Sequence, residues 1–526
     1  MTVEQLEVLP DAARTIEGLR DTGYDFLTAV ADIVDNSIAA EATRVVVRVS
    51  LAMDGELEVS VADNGYGMDR DELLNAMKYG SRVRETPSSL GKFGLGLKTA
   101  STAISRQLTV ITRPRNLQGT YAAQWDLDYV EAENRWFLRL PEPSPHEVAV
   151  LEEAAGSNAG TVVIWRKIDR LLPSSYRDSM GAPARKALAK TVESLRGHLA
   201  LTYVRYLTGA NDRPPVEIEL NDEPVKPWDP FWTAGSELLL DKEVKVDIDG
   251  NPAAMRLRAH VLPPRSELSD DQLREADIRA DTQGFYVFRE DRVISSGGWL
   301  GMFKVEPHLS LCRIDFSFDH RLDDALQIDI KKSRIRMLAD LQDHIRRLIT
   351  PARAEATERY RKNQRSEITD QAPGVHAASN SAVGNHIGTL SRSTVTVTGP
   401  DQAKVANPRG EVVISIPTIA QADGGPYVVV VEELADGMLW RPGIVEQKNA
   451  VLLNAGHPFY QRAYAALNGT PVGVQAIDFL LWGLCEAELW AVSEDEREHM
   501  TAVRREVSRI ARELSMVLPE VEALAS

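Results

Sequence analysis

Only two cysteines, Cys312 and Cys485, stand in 526 residues, and they are far apart in sequence. That scarcity excludes a disulfide scaffold and a zinc site of the CxxC type, and it fits a reducing cytoplasm. Each cysteine reads as a small buried apolar residue. The ten histidines include no HExxH pairing and have no cysteine partners, so no zinc is expected. No apolar run approaches the length of a membrane span. Met1–Pro10 carries acids and no apolar core, so no secretory signal is read there. Positive charge is in deficit: the formal net charge is −17, which argues against broad, nonspecific coating of nucleic acid. No internal repeat is evident. What remains is an apolar content of 43%, enough for buried cores, in a chain long enough for several domains.

Three short segments near the N-terminus carry the chemistry. Phe26, Leu27, Val30, Ile33 and Val34 recur at helical spacing. Asp32 and Asn36 are four apart, so they lie one turn from each other on one face. An amide oxygen there can ligate Mg²⁺, a hard cation, and an acid can orient and deprotonate a water. Next, Leu57–Val61 alternates like a strand and breaks at Asp63-Asn64-Gly65-Tyr66-Gly67-Met68. Asp63 can accept a hydrogen bond from an exocyclic amine, Gly65 and Gly67 let a ligand approach the main chain, and Met68 after them is a further cofactor-binding candidate. Finally, Gly91-Lys92-Phe93-Gly94-Leu95-Gly96-Leu97-Lys98 is a glycine turn running into a helix, which offers backbone N–H groups to a phosphate. It lacks the Gly-Lys-Ser/Thr ending of a Walker A loop. The GxGxxG order and preceding strand of a Rossmann fingerprint are also missing.

In order and spacing these segments resemble the N, G1 and G2 boxes of the GHKL ATPases: gyrase B, the large heat-shock chaperone, histidine kinases and MutL. Leu19-Arg20-Asp21-Thr22-Gly23-Tyr24, the helix after it and Gly94–Ser101 look like the opening of Microrchidia (MORC) and prokaryotic MORC-like ATPases. The resemblance implies ATP and Mg²⁺ as ligands, with Asp32 as general base and Asn36 on the metal. Asp63 and Thr161 would read adenine, and the 91–98 turn would cradle phosphate. Gly284–Arg289 with Arg292-Val293-Ile294 resembles a strand pair of a transducer domain. Ile328–Arg336 is similar to the MutL segment whose lysine reaches the γ-phosphate, a role it gives to Lys332, with Lys331 as the neighbouring alternative. Histidine kinase activity does not fit, because no phosphoacceptor-histidine helix precedes the boxes.

Two positions depart from the family. Asp32 stands where a glutamate is usual. It is shorter by one methylene, and a misplacement of about 1 Å can cost ~100-fold in rate. Asp35 ranks second as base. Ala39 stands where close relatives often carry aspartate, with little effect on ATP binding expected.

The predicted architecture is α/β (α+β). Residues 1–170 are read as a Bergerat-type ATP-binding sandwich, with helices on one face of a mixed sheet and a polar ATP lid over 79–90. Residues 171–362 are read as a transducer-like α/β domain ending in a helix over 336–362. Residues 363–408, rich in Ser, Thr, Asn, Gly and Ala, are read as a linker. Residues 409–526 form a small α/β domain of unassigned role, in which His457 reads as structural. The basic stretch Lys331–Arg365 either neutralises phosphates or forms a solvated helix with interleaved acids. The expected activity is an Mg-ATP-dependent conformational switch or clamp, MORC-like or MutL-like. It would be dimeric on ATP binding, cytoplasmic and associated with DNA, in a setting of phage defence or restriction. A protein partner would bind through the C-terminal domain. The alternatives are a poorly hydrolysing ATP-binding recruitment module and a chaperone-like ATPase.

Overall fold

The computed structural model describes residues 10–21, 23–51, 55–79, 96–116, 119–172, 181–210, 213–248, 251–323, 326, 339–434, 436–464 and 471–518. The chain divides into two compact units. One holds the residues up to Pro263 and Glu267–Thr357, the other Pro264–Ser266 and the residues from Glu358 onward.

The first unit contains two sheets. A seven-stranded sheet runs in the order Tyr121–Asp126, Ser105–Arg113, Gly160–Ile168, Leu57–Asp63, Arg44–Leu51, Glu217–Leu220 and Glu223–Pro224. Its pairings are antiparallel except that of Arg44–Leu51 with Glu217–Leu220, so the sheet is mixed. Alternation decides what each face buries. Val45, Val47 and Val49 join Val59, Val61 and Trp165 beneath Phe26–Ala39, Gly96–Ile104 and Ala182–Thr202. Val46, Ala62, Val162 and Ile164 point the other way, onto Val150, Leu151, Ala154 and Ala155 of the helix Pro145–Ala155. A helix on that second face departs from the expectation of helices on one face only. Ser144 starts it with a capping box to Glu147 and a proline in its first turn.

The second sheet has five strands, in the order Arg292–Ser296, Gly284–Arg289, Cys312–Phe318, Asn251–Val261 and Glu237–Ile248. Gly284–Arg289 runs parallel to Cys312–Phe318 and forms a hairpin with Arg292–Ser296.

In the second unit a three-stranded antiparallel sheet spans Thr394–Ser415. A four-stranded sheet orders Thr418–Ile419, Trp440–Val445, Lys448–Asn454 and Val428–Val431. The helices Pro471–Leu489 and Glu494–Ser515 complete the unit. The helix expected over 336–362 is Ala339–Leu390, 52 residues long, and continues through much of the stretch read as linker. Both cysteines are free and buried. Among the described residues no helix is long and apolar enough to cross a membrane.

Candidate functional site

Helix Phe26–Ala39 is the spine of the site. Asp25 caps it by accepting from the Thr28 N–H at 2.9 Å. Phe26, Ala29, Val30, Ile33 and Val34 bury its apolar stripe, as the spacing predicts. The same helix also buries acids: Asp32 is 6% exposed and Asp35 only 1%. Buried carboxylates need partners, and these come from afar. Tyr24 Oη donates to Asp32 Oδ2 at 3.0 Å. Tyr203 Oη lies 2.8 Å from Asp35 Oδ1 and 2.6 Å from the Ala31 carbonyl. Arg292, on the second sheet, donates from Nε to Asp35 Oδ1 at 2.7 Å and places Nη2 3.7 Å from Asp32 Oδ1. Burial opposes the Arg292 charge, but Asp35, Tyr203 and Asp32 outweigh that and hold its pKa above the ordinary value.

Asn36 is half-buried one turn beyond Asp32, and its amide nitrogen donates to the Asp32 carbonyl at 2.9 Å. The oxygen is then the hard donor that the side chain offers. The expected pairing of acid and amide on one helix face is present. A Cβ at Gly96 would meet Asp32 Oδ2 at 3.4 Å, so the start of helix Gly96–Ile104 lies against that carboxylate.

The other end of the site forms around Asp63, 5% exposed at the close of strand Leu57–Asp63. Its Oδ2 accepts from Ser37 Oγ at 2.7 Å and its Oδ1 from the Gly65 N–H at 2.9 Å. Burial pushes its pKa up to about 6 against the pull of these bonds. Asp63 faces Thr161 across the antiparallel ladder. Thr161 Oγ1 lies 3.1 Å from Thr112 Oγ1, which accepts from the Met68 N–H at 2.8 Å. Gly67 has φ of +65°, and a Cβ there would fall 2.0 Å from the Arg113 carbonyl, so the turn admits only glycine. Asp63, Gly65, Gly67, Met68 and Thr161 are therefore one connected group, tied through Ser37 to the helix that carries Asp32 and Asn36.

Lys98 is the residue expected at the phosphates. It is 1% exposed, and its Nζ donates to the Ala76 carbonyl at 2.9 Å. The cation thus meets the negative end of helix Arg70–Met77, and burial lowers its pKa to about 8. Leu97 is half-buried against the same core. Gly91, Lys92, Phe93, Gly94 and Leu95, most of the expected lid, and both Lys331 and Lys332 lie outside the described residues. Part of the basic stretch is engaged in packing. The Arg353 guanidinium stacks 3.5 Å from the centre of the Phe303 ring, and Arg346 lies 5.8 Å from the same ring.

Sequence reasoning missed Ser37, Thr112, Tyr24, Tyr203 and Arg292. Tyr24 ends the family-like stretch Leu19–Tyr24 and Ser37 directly follows Asn36, so both carried a local signal. Tyr203 and Arg292 meet Asp35 across 168 and 257 residues, and no spacing rule reaches that far.

With this geometry in place, comparison with known proteins is direct. Residues 24–161 match the family described as histidine kinase-, DNA gyrase B- and HSP90-like ATPases, and they form a domain of that GHKL type. Over 92 residues the chain is 33% identical to ATPase MORC2B of Mus musculus, which covers 17% of this chain and 9% of that protein. It is 31% identical over 87 residues to ATPase morc-1 of Caenorhabditis elegans, covering 16% of this chain and 10% of that one. It is 30% identical over 89 residues to Protein MICRORCHIDIA 6 of Arabidopsis thaliana, covering 16% and 13%. The matches thus span about a tenth of these relatives. A crystal structure of the N-terminal domain of a DNA repair protein aligns with 67% of this chain and 99% of its own, at 13% identity and a TM-score of 0.39.

Proposed function

We propose that the first unit is an Mg-ATP-dependent ATPase acting as a conformational switch. One observation carries the reading: a single helix supplies both ends of the site. Asp32 and Asn36 serve the phosphate end, and Ser37 buttresses the acid of the base-binding end.

The residues fit the ligands. Asp63 keeps lone pairs beyond its bonds from Ser37 and Gly65, so it can accept from the adenine amine beside Thr161. An ionised Asp63 is the better acceptor, and a pKa of about 6 leaves it ionised at neutral pH. Asn36 is the residue that would hold Mg²⁺, which when bound screens phosphate charge. Asp32 takes the proton of the attacking water. Gly91, Gly94, Gly96 and Lys98 are assigned to the phosphates by their place in the third segment, and Lys332 to the γ-phosphate by its place in the MutL-like segment. ATP would favour a closed state only by binding it more tightly than the open one. Dimerisation on ATP, a clamp on DNA, a protein partner of the second unit and a role in phage defence extend this proposal.

A second reading is favoured by one observation. Asp32 is short for its task, and Tyr24 and Arg292 both hold it. A module that binds ATP and hardly hydrolyses it would look the same. Steady-state hydrolysis by the wild-type chain, Asp32→Asn and Asp32→Glu, each with and without DNA, separates them. The ATPase reading expects turnover that Asp32→Asn abolishes and Asp32→Glu keeps or raises. DNA stimulation would favour the clamp over a chaperone-like ATPase. Wild-type turnover no higher than that of Asp32→Asn, with ATP bound tightly, would leave the recruitment module.

A further inference from the structure

Arg292 is 4% exposed, yet its charge belongs to neither a core nor a surface. It opens strand Arg292–Ser296, the edge of the second sheet, just after the hairpin turn at Glu290 and Asp291. That turn is anchored from behind. Tyr206 Oη donates to the Glu290 carbonyl at 2.6 Å, and Arg205 Nη1 lies 3.4 Å from Asp291 Oδ1. From this fixed base the Arg292 side chain crosses to helix Phe26–Ala39. It bonds Asp35 through Nε at 2.7 Å and stands 3.7 Å from Asp32 through Nη2. A guanidinium is a planar fork, so contact with two acids three residues apart fixes the helix in rotation as well as distance. Tyr203, at the end of helix Ala182–Thr202, closes the arrangement on Asp35.

The geometry points to Arg292 as a positioning residue that couples the second sheet to the base. It sets where Asp32 stands and makes any displacement of the hairpin 284–296 and of helix Phe26–Ala39 one event. The inference rests on the nucleotide site proposed above. It differs from the role assigned to Lys332, because Arg292 acts on the protein's own acids. Arg292 supplies no reacting group. Its contribution is a fixed distance, and displacements of about 1 Å at a reacting centre change rates by ~100-fold.

The test uses the full chain and the non-hydrolysed analogue Mg-AMPPNP, with amide hydrogen exchange followed in peptides from 26–39 and 284–296. Arg292→Met alone deprives Asp35 of its cation and could unfold the site. The decisive variant therefore combines Arg292→Met with Asp35→Asn. In the wild type, AMPPNP slows exchange in both segments. In the double variant it still binds, within about threefold of wild-type affinity, and slows exchange in 26–39 but no longer in 284–296. ATP turnover in that variant falls by about tenfold or more with KM held within about threefold, the signature of a lost positioning contact. Arg292→Lys, which keeps the charge without the fork, recovers only part of the coupling. A hairpin that still responds in the double variant overturns the coupling, as does a hairpin that never responds in a wild type that binds AMPPNP. A wild type that binds no AMPPNP overturns the nucleotide site itself and the coupling with it.

Discussion

Each unit of this protein buries an aspartate among hydroxyls and a basic side chain, and the two settings differ in where the partners come from. In the first unit Asp35, the residue before Asn36, takes Tyr203 and Arg292 from a distant helix end and a second sheet. In the second unit Asp478, fully buried, accepts from Ser379 Oγ at 2.5 Å, from His376 Nδ1 at 2.7 Å and from Tyr464 Oη at 3.0 Å. His376 Nε2 continues to Tyr460 Oη at 2.8 Å, and Tyr460 stacks on Tyr464 with centroids 4.7 Å apart. By residue type the second cluster looks the more catalytic, with acid, imidazole and hydroxyls in a chain. Its bonds instead join helix Ala339–Leu390, helix Pro471–Leu489 and the turn at Tyr460–Tyr464. Such a network fixes how helices pack. The first cluster instead sets Asp32 beside the start of a helix that opens on Gly96, the phosphate end of the site proposed above. Residue type alone therefore does not identify a site; the destination of the bonds does.

The contrast breaks most sharply by exchanging each acid. Asp32→Asn is expected to lower ATP turnover by ~100-fold or more while leaving the thermal midpoint nearly unchanged, because a positioned base contributes about that much and the amide keeps the Tyr24 contact. Asp478→Ala should do the reverse. It strands His376, Ser379 and Tyr464, costs about 3–5 kcal/mol in urea unfolding of the second unit, and leaves turnover of folded chain near wild type. Both variants measured by calorimetry and ATPase assay would settle the matter. A stable but inactive Asp478→Ala would reverse the assignment.

A smaller effect sharpens the reading of the base-binding end. Asp63→Asn keeps one acceptor oxygen but replaces the other with a donor set against either Ser37 or Gly65. The loss should be about 1.5–3 kcal/mol in ATP binding by titration calorimetry, or ten- to a hundredfold in affinity. An unchanged affinity would remove Asp63 from the adenine contact.

Much of this site was legible because it is local. Periodic apolar residues announced the helix at Phe26–Ala39, the alternation at Leu57–Val61 announced its strand, and the Asp32–Asn36 spacing follows from helical geometry alone. What stayed hidden was set by contacts across the chain. The stretch 363–408 read as a linker because Ser, Asn, Gly and Ala are poor in apolar signal. In the fold two of these polar residues, Ser379 and Asn380, are buried and paired: Asn380 Nδ2 donates to the Val428 carbonyl at 2.9 Å and its Oδ1 accepts from the N–H groups of Tyr427 and Val428. Tertiary hydrogen bonds there override helix propensity, which is only a weak prior. Arg292 escaped for the same reason. Its place in a strand was legible, but its partner lay 257 residues back.

The smallest effect concerns His457, read from sequence as structural and fully buried in the fold. Its Nε2 lies 3.1 Å from the Ser508 carbonyl and its Nδ1 accepts from the Phe459 N–H at 3.2 Å, an arrangement that suits the neutral ring with the proton on Nε2. A second proton would set N–H against N–H. Burial, with the nearby Arg512 charge, lowers the pKa to about 4, below the unfolded value of 6.5. The folded chain thus binds fewer protons than the unfolded one between those values. Stability is full above about pH 6.5, falls as the pH drops towards 4, and loses no more below that. At pH 5 the deficit is about 1–2 kcal/mol. His457→Gln can offer a donor and an acceptor without titrating, so its unfolding midpoint should change less between pH 7 and pH 5 than that of the wild type. Equal midpoint changes for the two proteins between pH 7 and pH 5 would mean that His457 takes up its proton as readily in the folded chain as in the unfolded one, and that the second unit tolerates at its centre the kind of buried cation that the first unit holds only by giving it Asp35.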